Sequence, residues 1–377
     1  MGFKKKNWFQ RNRRLIIIIA VTLVVATGIA LAVYFLTNKD EQQPEPPAKK
    51  AEPVRHYSPL TGRETTEAKT TAPVLAVMIE NSLDARPQSG LTDAGVIFEA
   101  VAEGGITRFV ALYQESEPTL IGPVRSVRPY YLDWAAAFDP GVAHVGGSAQ
   151  ALQMLKNGGY GIDLDQFYND SAYWRSKDRA APHNVYTDHT HLTQLLESKG
   201  KTSSRFAGFT RQDIMKDGEE AKTDKKSKQI EIDGEVTEVV EEEEKKIVGI
   251  NLEISSAQYA VSYQYDDETK TYKRSVGGKP HMNRALDKTE TQIAPDVVVA
   301  LHVNQAIIDQ AGHNQITTVG TGEAFVFQDG QLTKCTWSKD STTSPIKFLD
   351  ENNEEVKLKR GQTWVTAVPN GKAITWQ

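Results

Sequence analysis

The sequence predicts an α+β or α/β protein: a mixed sheet with flanking helices in the first half, a β-rich second half, and one transmembrane helix in front. Three patterns carry this expectation. Residues 15–36 contain no charge; residues 73–200 alternate short Val/Ile/Phe-rich runs with helix-like segments; from residue 247 the pattern is strands and tight turns.

The first element is the apolar run LIIIIAVTLVVATGIALAVYFL, residues 15–36. At about 1.5 Å per residue it crosses a hydrocarbon core of about 30 Å. Residues 1–14 carry six cations (Lys4, Lys5, Lys6, Arg11, Arg13, Arg14) and no acid. That excess holds the N-terminus in the cytoplasm and places the rest of this single-pass chain outside the cell membrane. Cytosolic metabolism, ATP-fuelled chemistry and chromosomal DNA are thereby set aside. Ala30-Leu31-Ala32 also resembles a signal-peptidase site, but Val33-Tyr34-Phe35-Leu36 continues the apolar run beyond it. The only cysteine, Cys335, lies far from this run, in a strand-like context where a buried thiol is expected. A lone thiol forms no internal disulfide, so the fold rests on its apolar core.

Residues 37–72 hold five prolines among Lys, Glu and Thr and read as a disordered tether. An α/β extracytoplasmic domain is expected over 73–210. Its strands are VLAVMI (74–79), VIFEAV (96–101), RFVALY (108–113) and VAHV (142–145). Pro129 suits the first turn of PYYLDWAAAF, Ser148 can cap SAQALQMLKN, and Asp188 or Thr190 can start HLTQLLESK. Residues 211–246 are dominated by Lys, Glu and Asp and read as a charged insertion, with EVTEVVEEEEKK as a strand or hairpin. A β-rich domain is expected over 247–377. Its hairpins turn at 266–268, at Asp329-Gly330 and at Asn352-Asn353, and WVTAVP and AITWQ close the chain.

The formal net charge is −5 at pH 7, so the chain without its first fourteen residues carries −11. Such a surface does not bind nucleic acid, and any anion site must be a local cluster of cations. Arg125 and Arg128 flank the turn before Pro129, Arg108 starts a neighbouring strand, and Arg179 lies near His183 and Asn184. Guanidinium is planar and bidentate toward phosphate and carboxylate. These arginines either converge on an anionic ligand or pair with acids such as Glu99, Glu103, Asp133 and Asp178. The turn Gly146-Gly147-Ser148 runs from a strand into a helix. It reads as a tight turn with a Ser cap, or as a cradle of backbone N–H donors for the same ligand. A divalent cation, held by Glu103 or Asp178, would offset pyrophosphate charge. Glu99, Glu103 and Asp133 are also the candidate carboxylates for glycoside hydrolysis. His183, His189 and His191 suggest a metal triad, or helix capping. Tyr130, Tyr131, Trp134, Tyr168, Tyr173 and Trp174 could stack on sugars, or pack the core.

The motifs SPLTG (58–62), ARPQSGL (85–91), EAVAEGGITRF (99–109), GPVRSVRPYYLD (122–133), HVGGSAQ (144–150), RAAPHNVY (179–186), YKR (272–274), KPHMNRAL (279–286) and GQTWVTAVP (361–369) resemble, in this order, those of the YerB-like family of bacterial envelope proteins. The resemblance covers residues 57–377 in two regions and implies an extracytoplasmic location, with no established activity. Family members are often lipoproteins, whereas this chain has a helix where the lipidated cysteine would be. The succession of TRF, PVRSVR, GGS and WRSKDR is also similar to the LytR–CpsA–Psr phosphotransferases. These transfer glycopolymers from a polyprenyl pyrophosphate to peptidoglycan with several arginines and a metal-binding acid. Here TRF lacks the acid expected after it. The expected function is to bind a phosphorylated or acidic envelope ligand, such as a glycopolymer, or an envelope partner protein. Phosphotransferase and glycosidase are the alternatives.

Overall fold

The computed structural model describes residues 7–38, 54–213, 227–232, 235–240, 246–310 and 312–377. Two compact units are present, residues 1–54 and residues 55–377. In the first, helix α1 (Arg13–Thr37) has 25 residues, none of them buried, and is long and apolar enough to cross a membrane.

The second unit is a mixed α+β fold built on a ten-stranded sheet. Its first-half strands are β1 (Val74–Glu80), β2 (Val96–Val101), β3 (Thr107–Tyr113), β4 (Pro140–His144) and β5 (Ile162–Asp165). Helices α2 (Pro129–Ala135), α3 (Ala149–Asn157) and α4 (His189–Ser198) flank them. The second half supplies β6 (Gly249–Leu252), β7 (Val261–Asp266), β8 (Thr271–Val276), β9 (Val297–Val303), β10 (Gly320–Gln328), β11 (Gln331–Lys339), β12 (Lys347–Leu349), β13 (Thr363–Pro369) and β14 (Ile374–Trp376).

The sheet order is β12-β11-β10-β9-β13-β2-β3-β1-β4-β5. The last long strand, β13, lies parallel to both β9 and β2 and joins the two halves. The expected division into 73–210 and 247–377 therefore does not divide the sheet. A second sheet, of five strands, contains β8, β7, β6 and β14. Its tyrosines Tyr263, Tyr265 and Tyr272 share a core with Val298, Ala300, Phe325 and Phe327.

Strand periodicity explains the continuous apolar runs. In β1, Val74, Ala76 and Met78 face α2 and α3, while Leu75, Val77 and Ile79 face the opposite core, with Leu192 and Leu196 of α4. A strand buried on both faces has no reason to alternate in polarity. The caps follow the sequence: Ser148 accepts from the Ala151 N–H, and Asp188 from the His191 N–H. Asp329 and Gly330 both take positive φ, 52° and 75°, as the two-residue turn between β10 and β11 requires. Cys335 is a buried strand residue, and burial pushes its thiol up to about 12.

Two expected boundaries shift. The folded unit begins before residue 73: His56–Tyr57 pairs with Glu64–Thr65, and Ser58 and Thr61 donate to Glu115. Much of the expected tether, 39–53, lies outside the described residues. The insertion begins after Arg211, whose buried guanidinium donates to Leu60 O, Lys359 O and Thr363 Oγ1. Within it, Ser227–Ile232 pairs with Glu235–Val240, while 214–226 and 241–245 lie outside the described residues.

Candidate functional site

Strands β1, β2, β4, β9 and β13 run in one direction. Their C-terminal ends therefore gather Glu80, Glu103, the 144–148 turn, His302 and Asn370 along one edge. Ligand sites in open parallel sheets form at such ends. Segment 122–128 runs beside this edge. The Arg125 N–H donates to Met78 O, Val127 N–H to Gly146 O, and Val145 N–H to Arg125 O. Gly147 permits this approach, because a Cβ there would lie 2.7 Å from Val127 Cγ1. Arg108 opens β3 opposite Glu80 in the register. Thus Arg108, Arg125, Arg128 and Gly146–Ser148, far apart in the chain, form one strip.

The acids of that strip come from strand ends, not from the turn itself. Arg108 and Arg128 share the Glu103 carboxylate. Arg108 also donates to Ser126 O and Arg128 to Val127 O, each at 2.6 Å. Arg125 ion-pairs with Glu80 at 3.3 Å. Glu80 Oε1 also meets His183 Nδ1 and Ser82 Oγ, both at 2.9 Å, while its Oε2 is buried and has no hydrogen-bond partner among the described residues. Three further arginines rest on neutral oxygens. Arg179 donates to the carbonyls of Asp84, Arg86 and Pro87, Arg175 to Asn184 Oδ1 at 2.8 Å, and Arg86 to Asn81 Oδ1 at 3.0 Å. Guanidinium groups therefore outnumber the carboxylates that hold them, and Arg125 stays partly open to solvent, its side chain 26% exposed.

The turn uses much of its own donor set. Gly146 N–H donates to Asp165 Oδ1 and Ser148 N–H to Val127 O, while Ser148 Oγ caps α3. The two candidate metal ligands do not meet: Glu103 lies between its arginines, and Asp178 faces Lys288 at 3.4 Å. Nor do the three histidines share a partner, since His183 bonds Glu80 and His191 bonds Asp188. Among the described residues no group of three or more His, Cys, Asp or Glu is placed to hold a metal ion.

Beside the strip, a cleft of about 120 Å³ is lined by Trp174, Asp178, Arg179, Tyr186, Arg284 and Lys288, among others. Arg284 and Lys288 are absent from the candidates that the sequence suggests. For Arg284 the signal was the convergence of RAAPHNVY and KPHMNRAL, which becomes visible only when the two halves share a fold; Lys288 lies two residues beyond that motif. Of the candidate stacking aromatics, Tyr130, Tyr131, Trp134 and Tyr173 are core residues, whereas Trp174 lines this cleft and Tyr168 is exposed.

Behind the strip lies a sealed polar network. Glu99 and Arg274 are both fully buried and joined by two hydrogen bonds of 2.8 and 3.0 Å. The Trp364 indole donates to Glu99 at 3.1 Å, and Arg274 stacks over that indole at 4.4 Å. Arg274 also donates to His281 Nδ1 and to Tyr263 OH. His281 Nε2 faces Gln88 Oε1 at 2.8 Å. Burial and then the Arg274 charge hold His281 well below the ordinary histidine range, so it is neutral. Glu99 is thus an interior counter-ion, and Asp133, buried and bonded to Thr318, is similarly withdrawn. The carboxylate pair expected of a glycosidase is not displayed.

For Glu103, burial opposes ionisation, but the Arg108 and Arg128 charges outweigh it and hold the carboxyl below its usual value. A depressed folded value means stability present above about pH 4.5 and lost as the pH falls through the lower folded value. Glu103→Gln is therefore expected to flatten the acid limb of the urea midpoint against pH. An unchanged limb would refute the shared counter-ion.

Comparison with known proteins gives one consistent result. Residues 60–202 match the model of the N-terminal domain described as "Protein of unknown function (DUF3048)", and residues 250–365 match that of its C-terminal domain. The chain is 30% identical over 318 residues to "Putative lipoprotein YerB" of Bacillus subtilis (strain 168), covering 83% of this chain and 86% of that protein. The crystal structure of YerB from Bacillus subtilis superposes with a TM-score of 0.70 at 26% identity, covering 85% of this chain and 99% of that one.

Proposed function

The chain belongs to the YerB-like family with its paired DUF3048 domains, and from that premise we propose that it is a membrane-anchored extracytoplasmic protein that binds a phosphorylated or acidic envelope ligand along the arginine strip. The basic residues before α1 and its apolar length support a cytoplasmic N-terminus and an external fold. The observation that carries the ligand class is the cation surplus. Six arginines (86, 108, 125, 128, 175 and 179) lie on an acidic protein, and among the described residues three of them (86, 175 and 179) hydrogen-bond only to neutral oxygens, Arg86 also lying over the Tyr259 ring. A phosphate or carboxylate arriving there supplies the missing counter-charge. Binding is favoured over phosphotransfer because Glu103 is already committed to two guanidinium groups. An acidic envelope protein is the second reading, since the same surplus, edged by the exposed aromatics Phe167 and Tyr168, suits a macromolecular partner.

Titration calorimetry of the full chain in detergent, with inorganic pyrophosphate and with farnesyl pyrophosphate, tests the proposal. A charge-assisted hydrogen bond contributes about 1.5–3 kcal/mol, so Arg125→Ala should weaken binding about ten- to a hundredfold. Adding Arg128→Ala should abolish it, with the melting temperature as the check on folding. If wild type binds neither probe, the ligand reading fails and the partner-protein reading remains.

A further inference from the structure

The same sheet edge carries a second opening that the arginine strip does not use. The hairpin of Gln305–Ile307 and Asn314–Ile316 stands between them, tied to the strip side by the Glu103–His313 bridge. The opening is a cavity of about 340 Å³ whose lining includes His302, Asn304, Thr317, Glu323, Trp337 and Asn370. This lies near the lower end of the roughly 300–1,000 Å³ of small-molecule sites.

Its chemistry differs from that of the strip. Among the described residues no Lys or Arg lines it, and its one carboxylate, Glu323, would repel phosphate. His302 Nδ1 is buried and, among the described residues, has no hydrogen-bond partner. The other ring nitrogen lies 3.8 Å from the Glu323 carboxylate, beyond hydrogen-bond reach. Trp337 donates its indole N–H to His302 O, so its ring closes the floor and its donor is spent. On the rim, Asn370 donates to Asn304 at 2.7 Å. That bond uses one N–H of the first amide and one lone pair of the second, and each retains further capacity.

His302 Nε2 and the Glu323 carboxylate stand 3.8 Å apart at the cavity, a separation that a group able to hydrogen-bond both would fill. A ligand that does so here must offer several hydroxyl groups that both donate and accept, and must carry no negative charge. We infer that this cavity binds one or two rings of a neutral sugar. A hydroxyl group bridges His302 Nε2 to the Glu323 carboxylate, and the rim amides take the outer hydroxyls. The site is independent of the anionic ligand proposed for the strip.

The experiment is saturation-transfer NMR and calorimetry on the full chain, in a detergent without a sugar head group. The probes are N-acetylglucosamine and its β-1,4 disaccharide. Wild type should bind at least one of them. Glu323→Ala and Asn304→Ala, both on the exposed rim, should each weaken binding at least tenfold, as should His302→Ala. Should His302→Ala fail to fold, the two rim variants decide. Arg125→Ala should leave sugar binding unchanged. No binding by wild type to either probe, or equal affinity in the rim variants, overturns the inference. So does competition by inorganic phosphate.

Discussion

Glu99→Ala is expected to cost about 3–5 kcal/mol of stability. Among the described residues, the change removes the only carboxylate that bonds Arg274, a fully buried guanidinium. Arg274 would keep His281, Tyr263 and the Trp364 face, but none of these is anionic. A buried cation without its counter-ion bears the desolvation cost alone. The Trp364 N–H would lose its acceptor as well. Urea unfolding of Glu99→Ala, and of the double variant Glu99→Met with Arg274→Met, is the measurement. The double apolar replacement should recover much of the loss, because it removes both charges together. A Glu99→Ala loss under about 1 kcal/mol would show that water or another group reaches Arg274, contrary to the sealed network.

Deleting residues 1–38 should move the protein from the membrane pellet to the soluble fraction. The deletion removes α1 and its basic flank, and residues 55–377 form a separate compact unit. Burial of the apolar face of twenty or more residues holds such a helix in lipid essentially irreversibly. Protease added to intact protoplasts should digest the full-length fold, as the basic flank requires. A truncated chain that still sediments with membranes would mean a second attachment. A protected fold would reverse the proposed orientation.

Much of the secondary structure is legible because local chemistry sets it. VIFEAV is strand Val96–Val101 as read, Pro129 opens α2, and Ser148 and Asp188 cap their helices. The start of the folded unit is hidden because SPLTG has no apolar period. Its order comes from Glu115, 54 residues or more away in the chain, which accepts from Ser58 and Thr61. Arg108, Arg125, Arg128 and Gly146–Ser148 can be grouped from the sequence because each sits at the end of a strand or in the segment following one. Their partners are only partly legible: Glu103 stands among the candidate acids, and Arg108 and Arg128 do share it. Glu80 becomes a neighbour of Arg125 only through the fold, and Glu99 stands among the candidate partners of the strip until Arg274 enters from the other half.

The sequence by itself determined the apolar helix, the acidic fold beyond it, the strand-and-helix order and the family, since these depend on composition, periodicity and local turn chemistry. Only the tertiary structure decided that one sheet unites both halves. It also decided that Glu99 is an interior counter-ion, and that Arg284, Lys288 and the His302 cavity join the candidate surfaces. Those outcomes rest on β13 inserting between β9 and β2. Its pairing with β2 joins strands more than 260 residues apart, which no local pattern encodes.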